Sequence, residues 1–293
     1  MTRVPLIKLC HRVPGFMRLG RAIPVHWYFS WIKTVAPLIG FFSVHAREQR
    51  RYVTLALATS RGPGESKSIA RRNLIYRKWR VCLQVAWPNI AGRYHQWVCL
   101  QGEEYLNQVC AAGRGAILLS GHSFGFSGMA VRTLAQRGHE IIRTGAGRNP
   151  ERQRRRWGNG DFQRWQYLGY HGDYWHRFRV LKQLQDALRR KAVLYIGIRG
   201  LPAGDPEYEI DYCHGRFFLD PQILRLIEIL QVPVLPCFVL CDKNGRAGIK
   251  IFPAITPVAK EIITGFGSLY AEYLRNFPEN ANIWKRVARG EEI

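Results

Sequence analysis

The chain has 293 residues, with 44 Lys and Arg against 21 Asp and Glu, giving a formal charge of +23. A hydrophobic fraction of 47% excludes an intrinsically disordered polymer. The lack of any repeat of roughly 20 to 50 residues or long heptad run excludes solenoids and coiled coils. Seven cysteines (Cys10, Cys82, Cys99, Cys110, Cys213, Cys237 and Cys241) are odd in number and form no C-x-x-C pair. Neither a disulfide framework nor a structural zinc site is therefore expected, and the chain is expected to face a reducing compartment.

So large a positive charge calls for a partner: nucleic acid, an anionic membrane surface, or an acidic protein. Nine Trp, 13 Tyr and 14 Phe mixed with arginine suit a lipid headgroup zone, where rings meet the acyl boundary and cations meet phosphates. The same mixture suits single-strand stacking, but the balance favours the membrane.

Residues 1–23 are basic, interrupted by Pro5 and Pro14, and free of acids. Trp27 to Val44 follows as 18 mostly apolar residues, at the short edge of a membrane span. Lys33 and Pro37 lie inside it. Trp27, Trp31, Val35, Leu38 and Phe42 recur at helical spacing as one apolar stripe. Basic residues on both flanks, with Arg47, Arg50 and Arg51 behind, favour a helix lying in the interface over one crossing the bilayer. A buried core helix is the competing reading, and no cleavable signal is expected. Residues 1–60 are thus expected to be a membrane-docking arm, and residues 61–293 a core with a helical lead-in to about residue 100. In that lead-in, Leu74, Ile75, Cys82, Val85 and Ala86 predict an amphipathic helix whose other face carries Arg71, Arg72, Arg77, Lys78 and Arg80.

The core alternates helix and short apolar strand. Helices are expected over Glu103–Ala112, Gly128–Gln136, Val180–Leu188, Pro221–Gln231 (capped by Asp220) and 261–275. Strands are expected over Ala116–Leu119, His139–Ile142, Ala192–Ile198, Val232–Leu240 and Ile249–Phe252, the last two joined by the turn Asp242-Lys243-Asn244-Gly245. This pattern predicts an α/β fold, a mixed sheet with helices on both faces, preceded by the helical arm.

The most informative stretch runs from Ile117 through Gly121-His122-Ser123-Phe124-Gly125 to Gly128: strand, glycine-flanked polar turn, helix. Chemistry in α/β sheets gathers at such junctions. One reading is a G-x-S-x-G elbow with Ser123 as the nucleophile of a serine hydrolase. Its remaining parts are hard to find, because the last His is His214, with Asp173 or Asp186 as the intervening acids, and no His-Gly-Gly segment precedes the elbow. In the other reading, His122 is a general base.

Under the second reading the chain resembles the bacterial lipid A late acyltransferases, within the lysophospholipid acyltransferase superfamily. Four segments carry the resemblance in order: GEEYLNQVCAAGRGAILLSGH ending at His122, IIRTGAGRNP with Arg143 and Arg148, CHGRFFLDPQILRLIEILQVPVLPCFVL with Gly215-Arg216, and the terminal NFPENANIWKRV. It spans roughly residues 95–290 and implies a glycerolipid acyltransferase-like core. The implied reaction moves a fatty acyl chain from an acyl carrier protein or coenzyme A thioester to a hydroxyl of a lipid A-like glycolipid or phospholipid acceptor. It implies catalytic roles for His122 and Arg143, with Ser123, Arg148, Gly215 and Arg216 toward substrate. It further implies no bound cofactor or metal, partners at an anionic membrane surface but no nucleic acid, and a location on the cytoplasmic face of the inner membrane.

The family motif is His-x4-Asp or His-x4-Glu, and here Ser127 stands at the acid position. A serine can hold the imidazole tautomer but cannot offset its charge. Ile198-Arg199-Gly200 likewise lacks the acid that the family carries after a later strand. The acidic run Asp205 to Asp211, before a Gly215-Arg216 loop, is a candidate source of a replacement carboxylate, or else a solvated loop. Arg152, Arg154, Arg155 and Arg156 extend a basic block suited to lipid phosphates or an acidic carrier. An inactive lipid-binding relative and a serine hydrolase remain the alternatives.

Overall fold

The computed structural model describes residues 25–42, 44–58, 60–90, 98–121, 127–145, 165–169, 174–198, 207, 209–212, 215–281 and 284. In chain order these form α1 (Val25–Phe42), α2 (Val44–Leu57), α3 (Pro63–Ile90), β1 (Val98–Gln101), α4 (Glu103–Ala111), β2 (Ala116–Ser120), α5 (Ser127–Gln136), β3 (Ile141–Gly145) and β4 (Trp165–Gly169). There follow α6 (Tyr174–Arg189), β5 (Val193–Gly197), β6 (Glu209–Tyr212), β7 (Gly215–Phe218), α7 (Pro221–Leu230), β8 (Val234–Cys241), β9 (Ala247–Ile251) and α8 (Ala259–Asn276).

Seven strands make one mixed sheet in the order β1-β9-β8-β2-β5-β3-β4. The five from β8 to β4 are mutually parallel, and β9 turns back antiparallel to β8 with β1 alongside it. Strand β2 is buried at every position, as a parallel strand covered on both faces should be. Helix α5 covers one face with Ala130, Val131 and Leu134; α6, α7 and α8 cover the other with Leu184, Leu224, Ile227 and Phe266. Asp220 caps α7 by accepting the Gln222 N–H at 2.9 Å, with Pro221 in the first turn. Strands β6 and β7 form a separate antiparallel pair laid on α8, where Ile210 packs against Gly267.

Several expected elements shift. Arg143, expected at a strand end, is the middle residue of β3. Gly215 and Arg216, expected in a loop, open β7, and Glu209 to Asp211 of the acidic run pair with it, Asp211 opposite Arg216.

The N-terminal helices are stitched into the core. In α1, Phe29, Ile32 and Ala36 are buried against Tyr76 and Trp79 of α3, while Trp27, Trp31 and Leu38 of the apolar stripe are 65%, 55% and 57% exposed. The helix is therefore apolar on two sides, one facing the protein and one facing out. No described helix is long and apolar enough to cross a membrane. The stitch itself is at the β8–β9 turn. Trp79 donates its indole N–H to the Gly245 carbonyl at 2.8 Å, and the Phe29 ring lies 5.1 Å from the Trp79 ring.

Gly245 has φ +83°, and a β-carbon there would sit 2.5 Å from the Phe29 ring. Gly245→Ala is thus expected to cost about 2–4 kcal/mol, from left-handed backbone strain plus overpacking. Urea unfolding checks this, and limited proteolysis should show α1 loosened first.

Candidate functional site

The connections between the parallel strands define where a ligand fits. After β2 the chain crosses to α5 on one face; after β5 it passes to α7 on the other. Neighbouring strands whose following helices lie on opposite faces leave a crevice at their carboxyl ends. Here that crevice lies between Ser120-Gly121 of β2 and Gly197-Ile198 of β5, which are in register and joined by the Ile198 N–H to the Ser120 carbonyl at 2.8 Å. Gly197 is exposed, and among the described residues a side chain there would meet nothing within 4 Å.

Gly121 faces the opposite condition. A β-carbon on it would lie 2.2 Å from the Tyr270 ring of α8. Tyr270 cannot simply swing away, because it stacks on Phe238 at 5.9 Å and Phe266 at 5.7 Å. This aromatic wall fixes where the chain leaves β2 and turns toward α5. One helical turn back along α8, Gly267 receives Ile210, so the β6–β7 hairpin that carries Arg216 is anchored about 4.5 Å along the helix axis from the same wall.

On the α5 face, polar groups gather beneath the crevice. Ser120 is buried, with its hydroxyl donating to the Gly121 carbonyl at 3.3 Å. Arg143 is half-buried and in register with Tyr195 of β5. Burial holds the Tyr195 phenol far above its usual pKa, aided by Cys237; Ser120 and Arg143 oppose the shift weakly. By distance and angle the buried Tyr195 hydroxyl has no hydrogen-bond partner among the described residues, and Ser120 acts on it only as a nearby dipole. Tyr195 is thus a donor at any working pH and never a base. Burial pushes the Cys237 thiol up to about 12, which removes it as a nucleophile. Arg132 of α5 is lowered to about 10 by burial and keeps its charge at neutral pH.

Of the residues singled out from sequence, Arg143 lies on the strand next to β5, Ser127 is the first residue of α5, and Gly215 and Arg216 begin β7. His122, Ser123, Arg148 and the arginine block at 152–156 lie outside the described residues, as do Arg199, Gly200 and residues 205–206. Residues 122–126 are the connection from β2 to α5. No cluster of His, Cys, Asp and Glu able to hold a metal occurs among the described residues.

Sequence reasoning missed Tyr270, Gly197 and Tyr195. Tyr270 carried a signal: Phe266, Tyr270, Tyr273 and Phe277 recur at helical spacing. The two β5 residues carried none, since their importance comes from register with β2.

The terminal Pro278…Trp284 segment has a structural job. The Trp284 indole donates to the Pro278 carbonyl at 2.8 Å, and the Asn280 side chain bonds both the N–H and the carbonyl of Cys241, at 2.7 and 3.3 Å, locking the end of β8. No protein-family model matches the chain, and no curated protein matches it.

Proposed function

We propose that the protein is a membrane-associated O-acyltransferase. It moves a fatty acyl chain from an acyl carrier protein or coenzyme A thioester to a hydroxyl of a glycolipid or phospholipid. The observation that supports this reading is the topological crevice between the ends of β2 and β5, with Arg143 two strands from β2 and, in sequence, His122 in the connection that follows β2. In this mechanism His122 takes the acceptor proton as the hydroxyl oxygen attacks the thioester carbon. The C–S bond then breaks, and the leaving thiolate takes the proton back from the imidazolium. The first N–H groups of α5 have no partners within the helix and suit the oxyanion, with Arg143 or Arg216 as the accompanying cation.

Ser127 in the acid position leaves that imidazolium without a carboxylate from the motif, which points to slow turnover. Transfer of a radiolabelled acyl chain from acyl carrier protein into extracted lipids tests the reading. Labelled lipid supports it. Free fatty acid alone, with Ser123 marked by a phosphonate probe, supports a hydrolase instead.

The outward stripe of α1 supports the membrane side of the reading. Trp27 and Trp31 touch little of the protein, so replacing both with Ala is expected to leave stability within about 0.5 kcal/mol. Each ring buried in a bilayer interface contributes up to about 1.5–3 kcal/mol. Binding to anionic vesicles should therefore fall by at least about tenfold, measured by co-sedimentation. Unchanged binding would remove α1 as the docking surface.

A further inference from the structure

We propose that a groove beside the β8–β9 turn, distinct from the crevice at β2 and β5, binds an anionic amphiphile: a phosphate-bearing lipid headgroup with the start of its acyl chain. The groove opens where α8 stops covering the sheet, over β8, β9 and β1. It encloses about 750 Å³, within the range of small-molecule sites. Leu240 and the 38% exposed ring of Phe277 form its apolar wall, and Lys243, Arg246 and Lys250 bring three cations to it.

The groove carries more cations than acids. Among the described residues, Lys243, Arg246 and Lys250 have no carboxylate partner within ion-pair distance, and Lys250 rests 4.8 Å over the Phe252 ring. Arg72 and two acids complete the charged lining. Asp242 accepts the N–H groups of Asn244 and Arg246, both at 2.8 Å, and Glu279 lies 3.8 Å from Arg72. Four cations against two carboxylates, beside an apolar wall, complement a phosphate attached to a hydrocarbon better than a free inorganic anion.

The position favours a lipid as the source. The turn that carries Lys243 and Arg246 is the one clasped by Phe29 of α1, and Lys33 of α1 acts electrostatically on Cys241 in the groove lining. A helix lying on a bilayer through Trp27 and Trp31 would hold that turn on its other side, about one helix diameter, roughly 10–12 Å, from the acyl boundary. The inference rests on the bilayer-docking part of the proposed function and not on acyl transfer.

Titration with dihexanoyl phosphatidic acid, dihexanoyl phosphatidylcholine and inorganic phosphate, followed by calorimetry on the full chain, tests the site. Phosphatidic acid should bind at least about tenfold more tightly than either comparison ligand. The exposed triple variant Lys243→Ala/Arg246→Ala/Lys250→Ala should lose at least about tenfold, since charge-assisted bonds to a phosphate are the strong ones. Trp27→Ala/Trp31→Ala should bind this soluble lipid normally, and so should His122→Ala, which separates the site from catalysis. Circular dichroism confirms that each variant is folded. Equal affinity for inorganic phosphate, unchanged binding by the triple variant, or tighter binding of a single-stranded oligonucleotide lost in the triple variant would each overturn the assignment.

Discussion

Gly121→Ala is expected to destabilise the protein by about 1–3 kcal/mol and to cut acyl transfer by about 100-fold or more. The new methyl group would lie 2.2 to 2.9 Å from three atoms of the Tyr270 ring. That ring is held in a stack with Phe238, Phe266 and Tyr273, at 5.9, 5.7 and 6.1 Å between centroids, so it has little room to yield. Either the stack shifts or the chain leaving β2 does, and on the proposed mechanism the second disturbs the connection that carries His122. Tyr270→Leu in the same chain removes the clash, so the double variant should regain part of the lost stability. The coupling read from the four urea midpoints would show this directly. A Gly121→Ala protein with an unchanged midpoint and unchanged transfer would mean that the aromatic wall does not set the path of the turn.

The second large effect concerns chemistry without stability. His122→Ala should lower transfer by about 100- to 10,000-fold, the range for a general base, while vesicle binding and the unfolding midpoint stay as in the wild type. Ser123→Ala should retain most activity. Comparing kcat with KM separates the two roles: loss of the base lowers kcat, while loss of a group that only holds substrate raises KM. A raised KM with kcat unchanged in His122→Ala would move His122 from catalysis to binding.

Much of this architecture could be read from the chain. Ala116–Leu119 is a short apolar run between Gly115 and the polar turn, and β2 extends it by only one residue, Ser120. The Asp220-Pro221 start of α7 and the turn after Asp242 are set by capping and hydrogen bonds local enough to read directly, and both are found.

What was missed depends on pairing. Strands β1 and β4 have only four and five residues, and β1 buries alternate positions incompletely at the sheet edge, so neither has a strong periodic signal. The acidic character of Asp205 to Asp211 suggested a loop. Yet Ile210 is buried on α8, where a partner strand and a glycine on the facing helix receive it. In α1 the apolar residues cover both sides, so periodicity predicts a helix without saying which side is packed. Only the fit of Phe29 against Gly245 decides that.

The candidate site was legible as a strand–turn–helix junction, but not as a crevice. The openness at Gly197 comes from β5 lying beside β2, a pairing between residues far apart in the chain, with their following helices on opposite faces. No local pattern encodes it.

The measurement closest to the central claim is the fate of a labelled acyl chain offered as a carrier-protein thioester to the wild type, His122→Ala and Ser123→Ala in the presence of membrane lipids. Label is expected in a lipid ester with the wild type and with Ser123→Ala, and none above background with His122→Ala. Label released as free fatty acid and lost only with Ser123→Ala, or no turnover by the wild type despite firm binding to anionic vesicles, would contradict it.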